Sequence, residues 1–210
     1  MMPSLPCIRH SSIGLLHLLA VVLMLLSSET APAAAKNKSR SLKQSEHNVV
    51  YHAQQAMAKK QYAAARKMLA AYVAKQTGAV HYLVHFTLAN ALTMEGDASA
   101  AIEHYRAAVS NYPDDAAVWQ NMAKAYYDLD QYAEAGRSLV NAHALQKPQS
   151  AATAYQAAVA FILAEKPDLA RPILEALVAG APTAPEPEWL EALLKVYLDL
   201  DMGPKALDMT

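Results

Sequence analysis

Apolar positions recur along this chain with the period of a helix, most clearly between Trp119 and Pro148. The first half of that stretch carries apolar residues at the spacing i, i+3, i+4 and i+7: Trp119, Met122, Ala123 and Tyr126. This spacing places them on one face of a helix. The mostly polar residues 128–131 interrupt the pattern, and a second helical pattern follows before Pro148 ends it. The stretch therefore predicts two helices joined by a short turn.

Small residues return once in each helix of this hairpin pattern along the chain. In the second helices the recurring residues are Ala65, Ala101, Ala135, Ala170 and Ala206, with spacings of 36, 34, 35 and 36 residues. In the first helices they are Ala53, Ala89, Ala123 and Ala158, and Leu194 stands at that position in the fifth hairpin. Small side chains let helices approach closely, so we predict about five stacked hairpins.

The order of large and small residues in these hairpins resembles the tetratricopeptide repeat, a helix–turn–helix unit of about 34 residues. The resemblance covers residues 46–210. It implies an all-α fold, a right-handed α-solenoid of stacked antiparallel helical hairpins whose fifth unit is incomplete. It also implies a surface that binds a peptide or a protein, without identifying the partner.

The first 35 residues have a different composition. A short basic start precedes an apolar run from Ile13 to Leu26, and small residues follow at 31–35. This order predicts a signal peptide over residues 1–35. The apolar run is shorter than the ~20 residues of a membrane-spanning helix, so an uncleaved N-terminal anchor is the alternative. Residues 36–45 are polar without periodicity and predict a disordered linker.

Cysteine use and charge narrow the location and the partners. The single cysteine, Cys7, lies in the predicted signal peptide, so the mature chain would have none. Such a chain suits an oxidising compartment, and we expect the bacterial periplasm, with no stable membrane span after cleavage. The formal net charge of −1 disfavours nucleic-acid binding, which requires a basic surface.

Motifs for catalysis are missing from the sequence: it has no nucleophile elbow, phosphate loop or dinucleotide glycine motif. His81 and His85 have the i, i+4 spacing of metal ligands on a helix, and His104 is the only further candidate. Packing of His85 at a large position of the repeat is the stronger interpretation. We therefore expect no catalytic residue, no metal site and no cofactor.

The resemblance places the binding groove on the first helix of each unit, where repeat positions five, nine and twelve line a concave surface. Carried onto the second, third and fourth units, these positions give Phe86, Asn90, Gln120, Lys124, Tyr127, Tyr155, Val159 and Ile162. Aromatic side chains beside polar ones are typical of peptide-binding surfaces. Packing of the last three against neighbouring helices is an alternative that the sequence leaves open.

These observations favour a non-catalytic, exported adaptor that holds a peptide or protein partner in its groove within an envelope assembly. The segment from Trp189 is slightly similar to repeats of periplasmic proteins that accompany TonB-type transport systems. The alternative is an accessory domain of an enzyme or of a cytochrome-maturation complex. Because the fifth unit has a bare end, we expect either a truncated product or self-association through that end.

Overall fold

The computed structural model describes residues 41–208. The predicted signal peptide and residues 36–40 of the predicted linker lie outside the described residues, as do 209–210. Residues 41–208 form helices without strands. The helices are α1 (Gln44–Ala58), α2 (Tyr62–Ala74), α3 (Tyr82–Glu95), α4 (Ala98–Asn111), α5 (Ala116–Tyr127), α6 (Tyr132–Leu145), α7 (Ala151–Leu163), α8 (Pro167–Ala179), α9 (Pro187–Asp199) and α10 (Gly203–Leu207).

The helices pack in the order in which the chain makes them. Each helix contacts the next one along residues 41–208, and α1 also contacts α3, α3 contacts α5, and α7 contacts α9. The odd-numbered helices are thus the first helices of five hairpins, and the even-numbered ones are the second helices. This arrangement confirms the predicted all-α stack of hairpins with a short last helix.

All five hairpin turns share one backbone geometry. One residue in each turn has a positive φ, between 55° and 86°: Lys60, Gly96, Asp130, Glu165 and Asp201. The N–H of the following residue donates to the carbonyl five residues earlier, at 2.8–3.0 Å, as Asp97 does to Leu92. This is the Schellman helix end, which satisfies carbonyls that the last helical turn leaves without partners. Each turn precedes a recurring alanine by the same number of residues, so turns and alanines keep one register.

Polar side chains start several helices. The carboxylates of Asp97 and Asp115 accept backbone N–H groups of the first turns of α4 and α5, both at 3.0 Å. At the start of α1, Glu46 accepts from the N–H of Lys43 at 2.9 Å and from that of His81 at 3.0 Å. Because α1 begins at Gln44, the last two residues of the stretch predicted as linker are helical.

The recurring small residues form the core, as the sequence predicts. The nine alanines of the two series are 0–5% exposed. The large position of the second helices is equally buried, at Leu69, Tyr105, Leu139 and Leu174. Leu194, at the small position of the fifth hairpin, is only half-buried, since no further hairpin covers it among the described residues. The predicted register of the repeat is therefore confirmed.

The buried core falls into two clusters that meet on α7. Ala157 and Ala160 pack with the cluster from α1 to α6, whereas Ala158 and Phe161 pack with the cluster from α8 to α10. Among residues 41–208, α5 and α7 are the neighbouring first helices whose backbones do not come into contact. The stack therefore opens between the third and fourth hairpins, on the side of the first helices.

Candidate functional site

The eight predicted groove residues all lie on first helices and reach solvent. Phe86 and Asn90 are on α3, Gln120, Lys124 and Tyr127 are on α5, and Tyr155, Val159 and Ile162 are on α7. Lys124 is exposed and the other seven are half-buried. We call the surface that these residues form the first-helix surface. None of them is enclosed in the core, which is the first requirement for contact with a partner.

Asn90 is held in one orientation by two donors. Its Oδ1 accepts from the hydroxyl of Tyr105 at 2.7 Å and from Nδ2 of Asn121 at 2.9 Å. Because both partners donate, the oxygen must lie between them, and the amide NH₂ points away from them. Burial raises the pKa of Tyr105 to about 12, so its hydroxyl keeps its proton. The first-helix surface thus carries one amide whose donor end is set before any partner arrives.

Two tyrosines connect successive hairpins across this surface. The hydroxyl of Tyr127 on α5 donates to the carbonyl of Gln156 on α7, and that of Tyr155 donates to the carbonyl of Glu188 on α9, both at 3.4 Å. Burial raises the pKa of both side chains, so they remain donors at neutral pH. These are long hydrogen bonds at the surface, which a competing ligand carbonyl can replace at small cost.

A cleft of about 280 Å³ opens between α5 and α7, where the two backbones part. It is lined by Gln120, Ala123, Lys124, Tyr127, Leu139 and Gln156, and we call it the α5–α7 cleft. Leu139 and Ala123 give it an apolar floor, and the other four residues give it a polar rim. The cleft is thus built like a pocket for one large side chain with hydrogen-bonding groups around its mouth.

Lys124 places an exposed positive charge at the rim of this cleft. Its Nζ lies 3.0 Å from a carboxylate oxygen of Asp128, one helical turn away, and its side chain is 66% exposed. Ion pairs this exposed contribute little stability. Lys124 can therefore turn towards a carboxylate of a partner without a large loss.

The structure brings only some of the predicted residues together. Gln120, Lys124 and Tyr127 share the α5–α7 cleft, while the ring of Phe86 lies 6.2 Å from that of Tyr105 and packs partly on the first core cluster. Tyr155 and Ile162 pack partly on the second cluster. Sequence reasoning missed Gln156 and Leu139, because the repeat pattern gives no sign that α5 and α7 separate.

A larger cavity lies on the side of the second helices. It measures about 520 Å³ between α6 and α8, and Val140, Ile173 and Trp189 are among its mostly apolar lining residues. Pro172 lies beside it inside α8. The sequence pattern did not predict this cavity, since it falls between helices whose alanine register continues unbroken.

Other sites that the sequence raised can be placed as well. Within residues 41–208 no group of three or more histidine, cysteine, aspartate or glutamate side chains is arranged to hold a metal ion. In the same part of the chain, no helix combines the length and the apolar character that crossing a membrane requires. At the last hairpin, Leu198 and Leu207 are 62% and 75% exposed, on the end where self-association was expected.

Comparison with known proteins finds a family model that matches one part of the chain. Residues 83–125 match the family model described as Tetratricopeptide repeat. Among solved structures, MamA from RS-1 has a TM-score of 0.58 at 15% identity, covering 80% of this chain and 92% of that one. MamA from AMB-1 has a TM-score of 0.56 at 18% identity, covering 78% and 84%.

A third similar structure is that of a kinesin light chain with nearly identical TPR-like repeats from Podospora anserina. Its TM-score is 0.51 at 21% identity, and the match covers 78% of this chain and 90% of that one. At these identities the likeness establishes the fold. Among curated proteins, none matches this sequence.

Proposed function

We propose that this tetratricopeptide repeat protein is a non-catalytic scaffold, exported to the periplasm, that binds an extended segment of a partner protein on its first-helix surface. The family match and the shared fold support protein–protein interaction in general. The export step rests on the predicted signal peptide over residues 1–35. The place within an envelope assembly, of TonB-type transport or a similar system, rests on the slight similarity of the segment from Trp189 to repeats of periplasmic proteins that accompany such systems.

The observation that carries the proposal is the α5–α7 cleft, together with the oriented amide of Asn90 on the neighbouring helix α3. The cleft accepts one large apolar side chain, and a volume of about 280 Å³ is at the lower limit of small-molecule pockets. The NH₂ group of Asn90 suits a backbone carbonyl of the same segment. Lys124, at the rim, suits an acidic group. The fitting ligand is thus a peptide with a bulky side chain and a neighbouring negative charge.

Site-specific photo-crosslinking in cells tests this surface. A photo-reactive residue at Gln156, an exposed position that lines the cleft, should capture a defined partner. The matched control is Arg137, which is exposed on the second helix α6. Capture of the same partner at equal yield from both positions would contradict binding on the first-helix surface.

Two substitutions then test which side chains bind. Replacing Phe86 and Tyr127 together by alanine should abolish capture from Gln156 while far-UV circular dichroism stays unchanged. Tyr51→Ala provides a control of the same chemistry, because Tyr51 is 51% exposed on α1, away from the cleft. Undiminished capture by the double variant would remove these two residues from the binding surface.

Fractionation of cells tests the location separately. A mature protein that appears in the periplasmic fraction, with its N-terminus inside residues 31–37, would agree with cleavage of a signal peptide. An intact N-terminus in the membrane fraction would instead support the anchored alternative. Recovery in the cytoplasmic fraction would contradict export altogether, whatever the first-helix surface binds.

A further inference from the structure

Two histidines face each other between the helices of the second hairpin. Nδ1 of His85 on α3 lies 3.2 Å from Nδ1 of His104 on α4. The ring planes are inclined by 24°, and the ring centroids are 5.4 Å apart. Both side chains are half-buried, so the pair is open to solvent on one side. The sequence pattern paired His85 with His81, but Nδ1 of His81 accepts the N–H of Leu83 at 3.2 Å instead.

The other hairpins show that the fold does not require this pair. The same two positions, counted from the recurring alanines, hold Val49 and Met68 in the first hairpin, Trp119 and Ser138 in the third, and Ala154 and Ile173 in the fourth. In the third hairpin the indole N–H of Trp119 donates to the carbonyl of Pro113. The repeat thus fills these positions with unrelated side chains, and the two imidazoles are particular to the second hairpin.

We propose that His85 and His104 form a two-imidazole binding site for a divalent transition-metal ion, with Zn²⁺ the best fit. Zinc binds imidazole nitrogen at about 2.0–2.1 Å, so two nitrogens 3.2 Å apart subtend roughly 100–106° at the ion. That angle is close to tetrahedral and wider than the cis angle of square-planar Cu²⁺ or Ni²⁺. One ligand from each helix keeps the two nitrogens at this distance, because α3 and α4 are packed together.

The pair is held by a hydrogen bond between the two nitrogens. One Nδ1–H donates to the other Nδ1, and a zinc ion that binds both would shift that proton to Nε2 of the same ring. The nearest carboxylate in sequence, Glu103, pairs with Arg106 at 3.2 Å and is 70% exposed. Since no group of three ligating side chains exists in residues 41–208, water or a ligand from a partner completes the coordination. Such a site has open positions, as catalytic and bridging zinc sites do.

Zinc titration of the full chain, purified without a histidine tag, tests the proposal. Isothermal titration with ZnCl₂ should show one ion bound per chain, and zinc should raise the melting temperature, because it binds the folded state. His85→Gln or His104→Gln should weaken binding at least about tenfold, since loss of an outer-shell partner alone costs that much. His143→Gln is the control: His143 is half-buried on α6 and bonds to the carbonyl of Ser150.

Two outcomes would overturn the assignment. One is zinc uptake that both variants leave unchanged, whatever the effect of His143→Gln. The other is no uptake at any concentration below those that precipitate the protein. Far-UV circular dichroism of each variant without metal checks that the hairpin is still folded. Co²⁺ absorption spectra give a second readout, because a tetrahedral d–d band that disappears in His104→Gln reports the ligand directly.

Discussion

Replacing Gly136 by alanine tests how tightly the two halves of the core are joined. Gly136 lies inside α6, and a Cβ built on it would meet three ring atoms of Phe161 at 2.8–3.0 Å. Phe161 is 4% exposed on α7 and belongs to the second core cluster. Ordinary carbon–carbon contacts are about 3.5–4.0 Å, so the ring would have to move by roughly 0.5–1 Å. Three close atoms on one ring leave no rotation that relieves all of them.

Two opposing effects decide the result. Alanine is favoured over glycine in a helix interior by about 1 kcal/mol. Overpacking a filled core costs about 1–3 kcal/mol. Because the ring is buried between Gly136 and the second core cluster, we expect the steric effect to exceed the helix preference by about 1 kcal/mol. For a chain of this size that lowers the melting temperature by roughly 2–4 °C.

A double-mutant cycle with Phe161→Leu separates the two effects. The shorter leucine leaves room for the new methyl group, so on that background Gly136→Ala should be neutral or should stabilise by up to about 1 kcal/mol. Urea unfolding followed by far-UV circular dichroism gives each free energy. The control is Gly203→Ala, which introduces a Cβ with no atom within 4 Å and should shift stability by less than about 0.5 kcal/mol.

Loss or reversal of the destabilisation on the Phe161→Leu background is the diagnostic result. If Gly136→Ala stabilises the wild-type protein as much as the Phe161→Leu variant, the ring yields freely, and the two core clusters are not held in register by this contact. A loss of stability of equal size on both backgrounds would place the strain elsewhere in α6. Either result would refute the reasoning.

Three further predictions concern single side chains. Glu165→Gly should raise stability by about 1 kcal/mol in urea unfolding, because an L-residue there has a φ of 55°, and Gly96→Ala should lower it equally. Burial acts to raise the pKa of Glu175, but hydrogen bonds from Lys205 and Tyr197 lower it overall. Hydrogen exchange in α10 should therefore be faster in Glu175→Gln than in the wild type. In the wild type it should become faster only at a pH acid enough to protonate that carboxylate. The pKa values of His85 and His104 are lowered in the folded protein, so as the pH falls below ~6.5 the unfolded chain binds protons before the folded chain does. Melting temperature should therefore fall from pH 7.5 to 5.5, and by less in His85→Gln.

Periodicity was sufficient to predict the fold because the recurring alanines are its physical cause. At a helix crossing with 0% exposure, such as Ala135, a larger side chain would push the helices apart. A small residue therefore recurs at this spacing along the chain. The turns were predictable in place and only in part in conformation. Gly96 indicates a positive φ, but Lys60 and Glu165 adopt the same conformation without any sign in their residue type.

The candidate site was predicted less completely, since its shape depends on contacts between hairpins. Counting along the repeat finds Lys124 and Tyr127, but the cleft that they line exists because α5 and α7 stay apart. The partnership of His85 with His104 likewise depends on the directions of two side chains from different helices. A pattern within one helix carries no information on either distance.

Helix α7 takes part both in the opening towards α5 and in the contact between Gly136 and Phe161. Phe161 anchors α7 to the second half of the core and rests on α6, while Tyr127 reaches α7 across the cleft with a 3.4 Å hydrogen bond. Because Gly136 has no side chain, α7 can approach α6 closely. The long hydrogen bond from Tyr127 constrains the distance between α5 and α7 only weakly. A partner side chain that enters the cleft would replace the Tyr127 bridge without disturbing the Phe161 contact. The width of the first-helix surface at the α5–α7 cleft therefore depends on a core contact at Gly136, a residue that the groove positions of the repeat do not include.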